Sequence, residues 1–275
     1  MINLNDYRQN IYHNEGIYEC PHYSEDGVIL KIFEIIGVNK NPLIIEFGET
    51  RSLGTTTRAF RIKYKSPSIY FTGNLNIRSR LLNLIDILKV TYNYTDPQYL
   101  KFIFNMPFKF FVTPDNIIDL FIRKKVKDID ILTIDIDSFD YFIAKKVLEN
   151  NYKPRLLILE YNPNLGINES ISVPYNTNKL KPSNRRIYGA SFKAINNLVT
   201  KYGYKLVHIS GFCNLFYIRE EYTNFFETPD YNEEFTKTDK DVMIFAQKYC
   251  QKGFVPSWLN ERQLENSDLQ YFEEV

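Results

Sequence analysis

The sequence is poor in the residues that build the commoner metal and redox centres, with three cysteines and three histidines in 275 residues. Cys20, Cys213 and Cys250 are an odd, widely spaced set without a C-x-x-C, which argues against a disulfide framework or a cysteine zinc site. A reducing cytoplasm is the compartment this usage predicts. No run approaches the roughly 20 apolar residues of a membrane-spanning helix, and the polar start has no signal-peptide core. Asn93-Tyr94-Thr95 and Asn168-Glu169-Ser170 therefore read as chance matches to the glycosylation pattern. An excess of one charge is missing too: 34 basic against 33 acidic residues leave +1, so no overall field draws in nucleic acid or an anionic membrane. With 11 Gly, 12 Pro and no repeat at 20 to 50 residues, fibrous and solenoid architectures are excluded.

What remains is 44% hydrophobic, with 21 Tyr and 21 Phe, enough for one large α/β core. The expected division is an N-terminal segment over 1–23, an α/β domain over 24–220 and a packed C-terminal extension over 221–275. Helical apolar spacing runs from Val28 to Ile36 behind the acidic start Ser24-Glu25-Asp26. Leu43 to Gly48 reads as a strand, Thr55 to Tyr64 as a helix, Ser68 to Thr72 as a strand, Ile77 to Leu88 as a helix and Lys89 to Tyr94 as a strand. Thr113-Pro114 looks like a helix cap and first turn ahead of Asn116 to Lys125. The apolar runs Ile129 to Asp135 and Arg155 to Glu160 bracket a helix from Ser138 to Asn150 and suit buried parallel strands.

After Tyr161 periodicity fails for about 25 residues, the mark of a lid or binding loop. A helix at Ser191 to Tyr202 and strands at Tyr204 to Ile209 and Asn214 to Arg219 follow. The last two are too close for a crossover, so they pair antiparallel. The fold class expected is α/β: a doubly wound, mostly parallel sheet of about seven strands with an antiparallel last pair. Such a sheet binds ligands at the carboxyl ends of its strands.

Three strand ends carry candidate chemistry. Glu46 to Gly54 joins an acid, two glycines and small hydroxyl residues before a helix, where Gly48 and Gly54 let backbone approach a ligand. Asp135-Ile136-Asp137 with Asp140 puts three carboxylates close together, which requires a cation, a donor or a raised pKa. Oxygen ligands suit Mg²⁺, Mn²⁺ or Ca²⁺, whereas the structural alternative is helix capping by Asp137 or Ser138. Glu160 and Asn162 end the neighbouring strand, so Asp135, Asp137 and Glu160 are the metal candidates and Asp135, Asp140 and Glu160 the catalytic ones. His208 is a structural residue on this reading, and Lys124, Lys125 and Lys127 are solvated surface.

Several blocks in order resemble the FkbM-like family of S-adenosylmethionine-dependent methyltransferases. They are Ser24-Glu25-Asp26-Gly27, Ile45-Glu46-Phe47-Gly48, Phe111 to Ile117, Ile134 to Tyr141, Leu159-Glu160-Tyr161-Asn162 and Tyr188-Gly189-Ala190-Ser191. The resemblance implies a class I methyltransferase fold, with S-adenosylmethionine over Glu46 and Gly48, gripped also by Gly54, Gly73, Asn74 and Asp135. It further implies methylation of a small-molecule, sugar or glycan-like hydroxyl. Two departures stand out: Gly48 is followed by Glu49-Thr50-Arg51 in place of a second glycine, and the second strand ends Thr72-Gly73-Asn74 in place of a ribose-binding acid. Two other readings fit parts of the pattern. One is a binding module of the same fold that has lost catalysis; the other is a metal-dependent glycosyltransferase using Asp135-Ile136-Asp137.

Overall fold

A computed structural model describes residues 1–9, 25–48, 56–64, 66, 68–72, 81, 108–175, 187–210, 213–231 and 264–275. Helices α1 (Glu25–Ile36), α2 (Arg58–Tyr64), α3 (Ile117–Arg123), α4 (Asp140–Glu149) and α5 (Phe192–Thr200) surround strands β1 (Leu43–Phe47), β2 (Ser68–Thr72), β3 (Phe108–Lys109), β4 (Ile129–Ile134), β5 (Leu156–Glu160), β7 (Tyr204–Ser210) and β8 (Asn214–Arg219). Two further strands of two residues, β6 (Ile171–Ser172) and β9 (Glu273–Glu274), form a separate antiparallel pair. The main sheet has the order β3-β2-β1-β4-β5-β8-β7. It is a mixed α/β fold whose central sheet is mostly parallel, with β8 running antiparallel to both neighbours.

The strands are apolar on both sides because helices cover both faces. On one face Ile45, Phe47, Leu132, Ile134, Leu157 and Leu159 pack with α3, α4 and α5. On the other, Ile44, Ile131, Leu156, Ile158, Phe216 and Ile218 meet Val28, Ile29, Ile32 and Phe33 of α1 and Ala59 and Phe60 of α2. Successive strand side chains alternate between faces, so this split fixes where each polar neighbour goes.

Differences from the sequence reading are local. The helix α1 begins three residues earlier than Val28, its acidic first turn being helical. Thr113 and Pro114 are not the cap and first turn of α3, which starts at Ile117 behind Asn116. Instead Asn116 Oδ1 accepts from Thr113 N and its Nδ2 donates to Phe111 O, closing a turn ahead of the helix. The place beside β2 is taken by Phe108–Lys109, too short to carry a periodic signal. The expected helix at Ile77 to Leu88 and strand at Lys89 to Tyr94 lie outside the described residues, apart from Leu81. The antiparallel end pair is present, with Tyr204 opposite Arg219.

Candidate functional site

Alternation places Glu46, Asp135, Glu160 and Asn214 on the face covered by α1 and α2, all at the end of the sheet where the parallel strands finish. The strand order reverses between β1 and β4, and open α/β sheets bind ligands at that crevice. Gly48 and Asp135 are its two lips. Gly48 has φ +112, and a Cβ there would lie 1.5 Å from the Asp135 carbonyl oxygen. The glycine is thus required by the close approach of the two strand ends, which Gly48 N to Phe71 O and Asp135 N to Phe47 O hold in place.

Glu46 is buried, and both its oxygens are used: Oε1 accepts from Thr56 N at 2.9 Å and Oε2 from Thr57 Oγ1 at 2.6 Å. Burial raises its pKa, while the Thr57 bond and the Arg61 charge pull the other way. The carboxylate thereby anchors the chain entering α2. The first turn of α1 and the start of α2 are joined by a fully buried ion pair, Asp26 with Arg58 at 3.0 Å. Glu25, 1% exposed, accepts from Asn214 Nδ2 at 2.9 Å. Its pKa is pushed up to about 7 by burial, with the Glu46 and Asp26 charges adding to the effect against the Asn214 bond.

Asp135, Asp137 and Glu160 each present a carboxylate oxygen, and these oxygens lie within 4.8 Å of one another. Asp135 and Asp137 are partly exposed, and Glu160 is buried. Burial and the charges of Asp137 and Asp140 hold the Asp135 carboxyl well above the usual carboxylate range, and a hydrogen bond joins it to Glu160. A hydrogen bond between two carboxyl groups requires a proton on one of them.

Asp140 is placed differently. Its Oδ1 accepts from Ile136 N and its Oδ2 from Ser138 N, at 2.8 and 2.9 Å, so it braces the turn that carries Asp137 in a left-handed conformation, φ 54. Burial raises its pKa to about 6 against those two bonds. The N-cap position of α4 is held by Phe139, which makes no side-chain cap bond, and not by Asp137 or Ser138.

Asn162 is fully buried, donating to Tyr188 O and accepting from Asn164 N. Gly189, at φ 62, donates to Ser138 O, and Ser191 caps α5 by accepting from Ala194 N. The Tyr188 to Ser191 block is therefore a clasp between the ends of β4 and β5. Its hydrogen bonds go to the scaffold.

The structure brings together Asp135, Asp137, Glu160 and, across the crevice, Glu46 and Gly48. Gly54, Gly73 and Asn74 lie outside the described residues. Sequence reasoning missed Glu25, Thr56, Thr57, Arg58 and Asn214 as parts of the same polar layer. The available signal was a charged first turn on an otherwise apolar helix. His208 sits in the core edge-on to Phe216, 5.3 Å between ring centroids, its pKa lowered well below the usual value by burial and then by Arg8. Lys124, Lys125 and Lys127 are exposed. No helix among the described residues is long and apolar enough to cross a membrane. No family model matches the chain, and no curated protein or solved structure matches it either.

Proposed function

We propose that the chain is an S-adenosylmethionine-dependent methyltransferase acting on a hydroxyl oxygen of a small-molecule, sugar or glycan-like acceptor. The observation that carries this reading is the coincidence of the motif blocks with the crevice between β1 and β4. Strand order β3-β2-β1-β4-β5-β8-β7, with β8 antiparallel, supports a seven-stranded class I methyltransferase type of sheet. The crevice chemistry agrees: a sulfonium ligand is cationic, and Asp135, Asp137 and Glu160 line the rim with negative charge.

When bound, S-adenosylmethionine supplies a methyl group whose bond to the sulfonium sulfur breaks as the acceptor oxygen bonds to it, leaving a neutral thioether. The protein's share is positioning and proton transfer. Gly48 sets the width of the crevice, and Glu46 fixes the chain leading into α2. The Asp135–Glu160 pair takes the acceptor hydroxyl proton, while Asp140 holds the turn that presents Asp137.

Calorimetric titration with S-adenosylhomocysteine, in buffer containing EDTA, tests the reading. Micromolar binding is the expected result, and S-adenosylmethionine, which carries the sulfonium charge that its product lacks, should bind at least about tenfold more weakly to Asp135→Asn than to the wild type, a loss of about 1.4 kcal/mol. Absence of binding by protein shown to be folded overturns it. A catalytically degenerate binding module is then favoured, in keeping with Glu46 and Gly48 being spent on the scaffold.

A further inference from the structure

The three carboxylates at the ends of β4 and β5 are arranged for more than a hydrogen bond between two of them. We propose that Asp135, Asp137 and Glu160 bind one divalent cation of the Mg²⁺ or Mn²⁺ class, with Asn214 Oδ1 as a fourth oxygen. Their oxygens lie within 4.8 Å of one another, about twice the length of a metal–oxygen bond, so a single ion fits between them. The donor set is hard oxygen throughout, and among the described residues no histidine or cysteine joins the group, which selects against zinc and copper.

Asn214 supplies the independent observation. It faces Glu160 directly in the antiparallel register of β5 and β8, on the same side of the sheet. The residue is 94% buried, yet its Oδ1 has no hydrogen-bond partner. Donation from Nδ2 to Glu25 Oε1 fixes which end of the amide is oxygen. A buried carbonyl oxygen left over on the residue opposite Glu160 is suited to complete the ligand set of an ion held by the carboxylates. Asp135 and Asp137 reach solvent, so the remaining coordination positions are open to water or to an acceptor oxygen. Polarisation of an acceptor hydroxyl by this ion rests on the methyl-transfer reading; binding of the ion does not.

Titration of the full chain with Mn²⁺, followed by electron paramagnetic resonance of the free ion and by calorimetry, tests the site without turnover. One ion per chain is expected, with affinity lowered at least about tenfold in Asp137→Asn and in Glu160→Gln. Asp137 is partly exposed and outside the core, so D137N keeps its fold, which a thermal melt checks. Absence of saturable Mn²⁺ binding, or binding unchanged in D137N, overturns the proposal. Binding of S-adenosylhomocysteine in EDTA without any Mn²⁺ site leaves methyl transfer standing and removes the ion. Mn²⁺ binding without S-adenosylhomocysteine binding upholds the ion and removes the methyl-transfer reading.

Discussion

His208 is 1% exposed and held neutral in the core, and this gives it a measurable effect on stability. Its folded pKa lies below the unfolded value of 6.5, so below that pH the unfolded chain binds the extra proton and folding is disfavoured. The contribution is fully present above pH 6.5 and is lost as pH falls. Replacing His208 with Leu removes this loss. The stability difference between H208L and wild type, measured by urea denaturation, should shift in favour of the variant by up to about 1.4 kcal/mol for each pH unit below 6.5. An unchanged difference between pH 7.5 and 5 contradicts the assignment. At this scale Asp135, Asp137 and Glu160 were legible in the sequence because each closes or follows an apolar strand, where a carboxylate has no place in a core. Glu25 and Asn214 were not, because the bond that joins them spans 189 residues and depends on two elements meeting.

Between elements, a buried ion pair joins α1 to α2 on the face of the sheet that carries Glu46 and Asp135. Asp26 and Arg58 are fully buried, so removal of one partner takes away charge compensation where water cannot replace it. Asp26→Asn should lose about 3–5 kcal/mol in urea denaturation, whereas joint replacement by Leu and Met should lose far less. Equal losses in the single and double variants would mean that the helices are held by packing alone. The same scale shows why some elements were readable and others not. Ser68–Thr72 and Asn214–Arg219 match the sequence reading residue for residue because β-branched and aromatic residues fill them. Phe108–Lys109 was missed because two residues carry no period, and the turn at Thr113 imitates a helix start while serving Asn116.

Across the whole molecule, the chain's last residues return to the loop that follows β5. Ile171 and Ser172 pair with Glu274 and Glu273, and Val275 N donates to Ser170 O. On its other side the loop is held by Val173 N to Gly189 O and by Ser191 Oγ to Glu169 O. Removing residues 273–275 should speed hydrogen exchange across 166–175 by about an order of magnitude and leave α4 and α5 unchanged. Exchange that does not change would show the clasp at Gly189 to be sufficient. Doubly wound topology was legible from alternating strand and helix patterns, and the end pair from the short spacing between its strands. The tail's return was not, since nothing local in Glu273-Glu274 names a partner a hundred residues away.

The contact between Gly48 and Asp135 also has a consequence for assembly. The hairpin of β7 and β8 closes over a few residues, but β1 and β4 join positions as far apart as Leu43 and Asp130, 87 residues along the chain. Loop-closure entropy opposes the distant pairing and favours the local one. The two lips of the crevice thus belong to the strand pairing with the longest sequence separation in the main sheet. A nascent chain that ends before Asp135 can own every glycine and acid of its first strand and still possess no site.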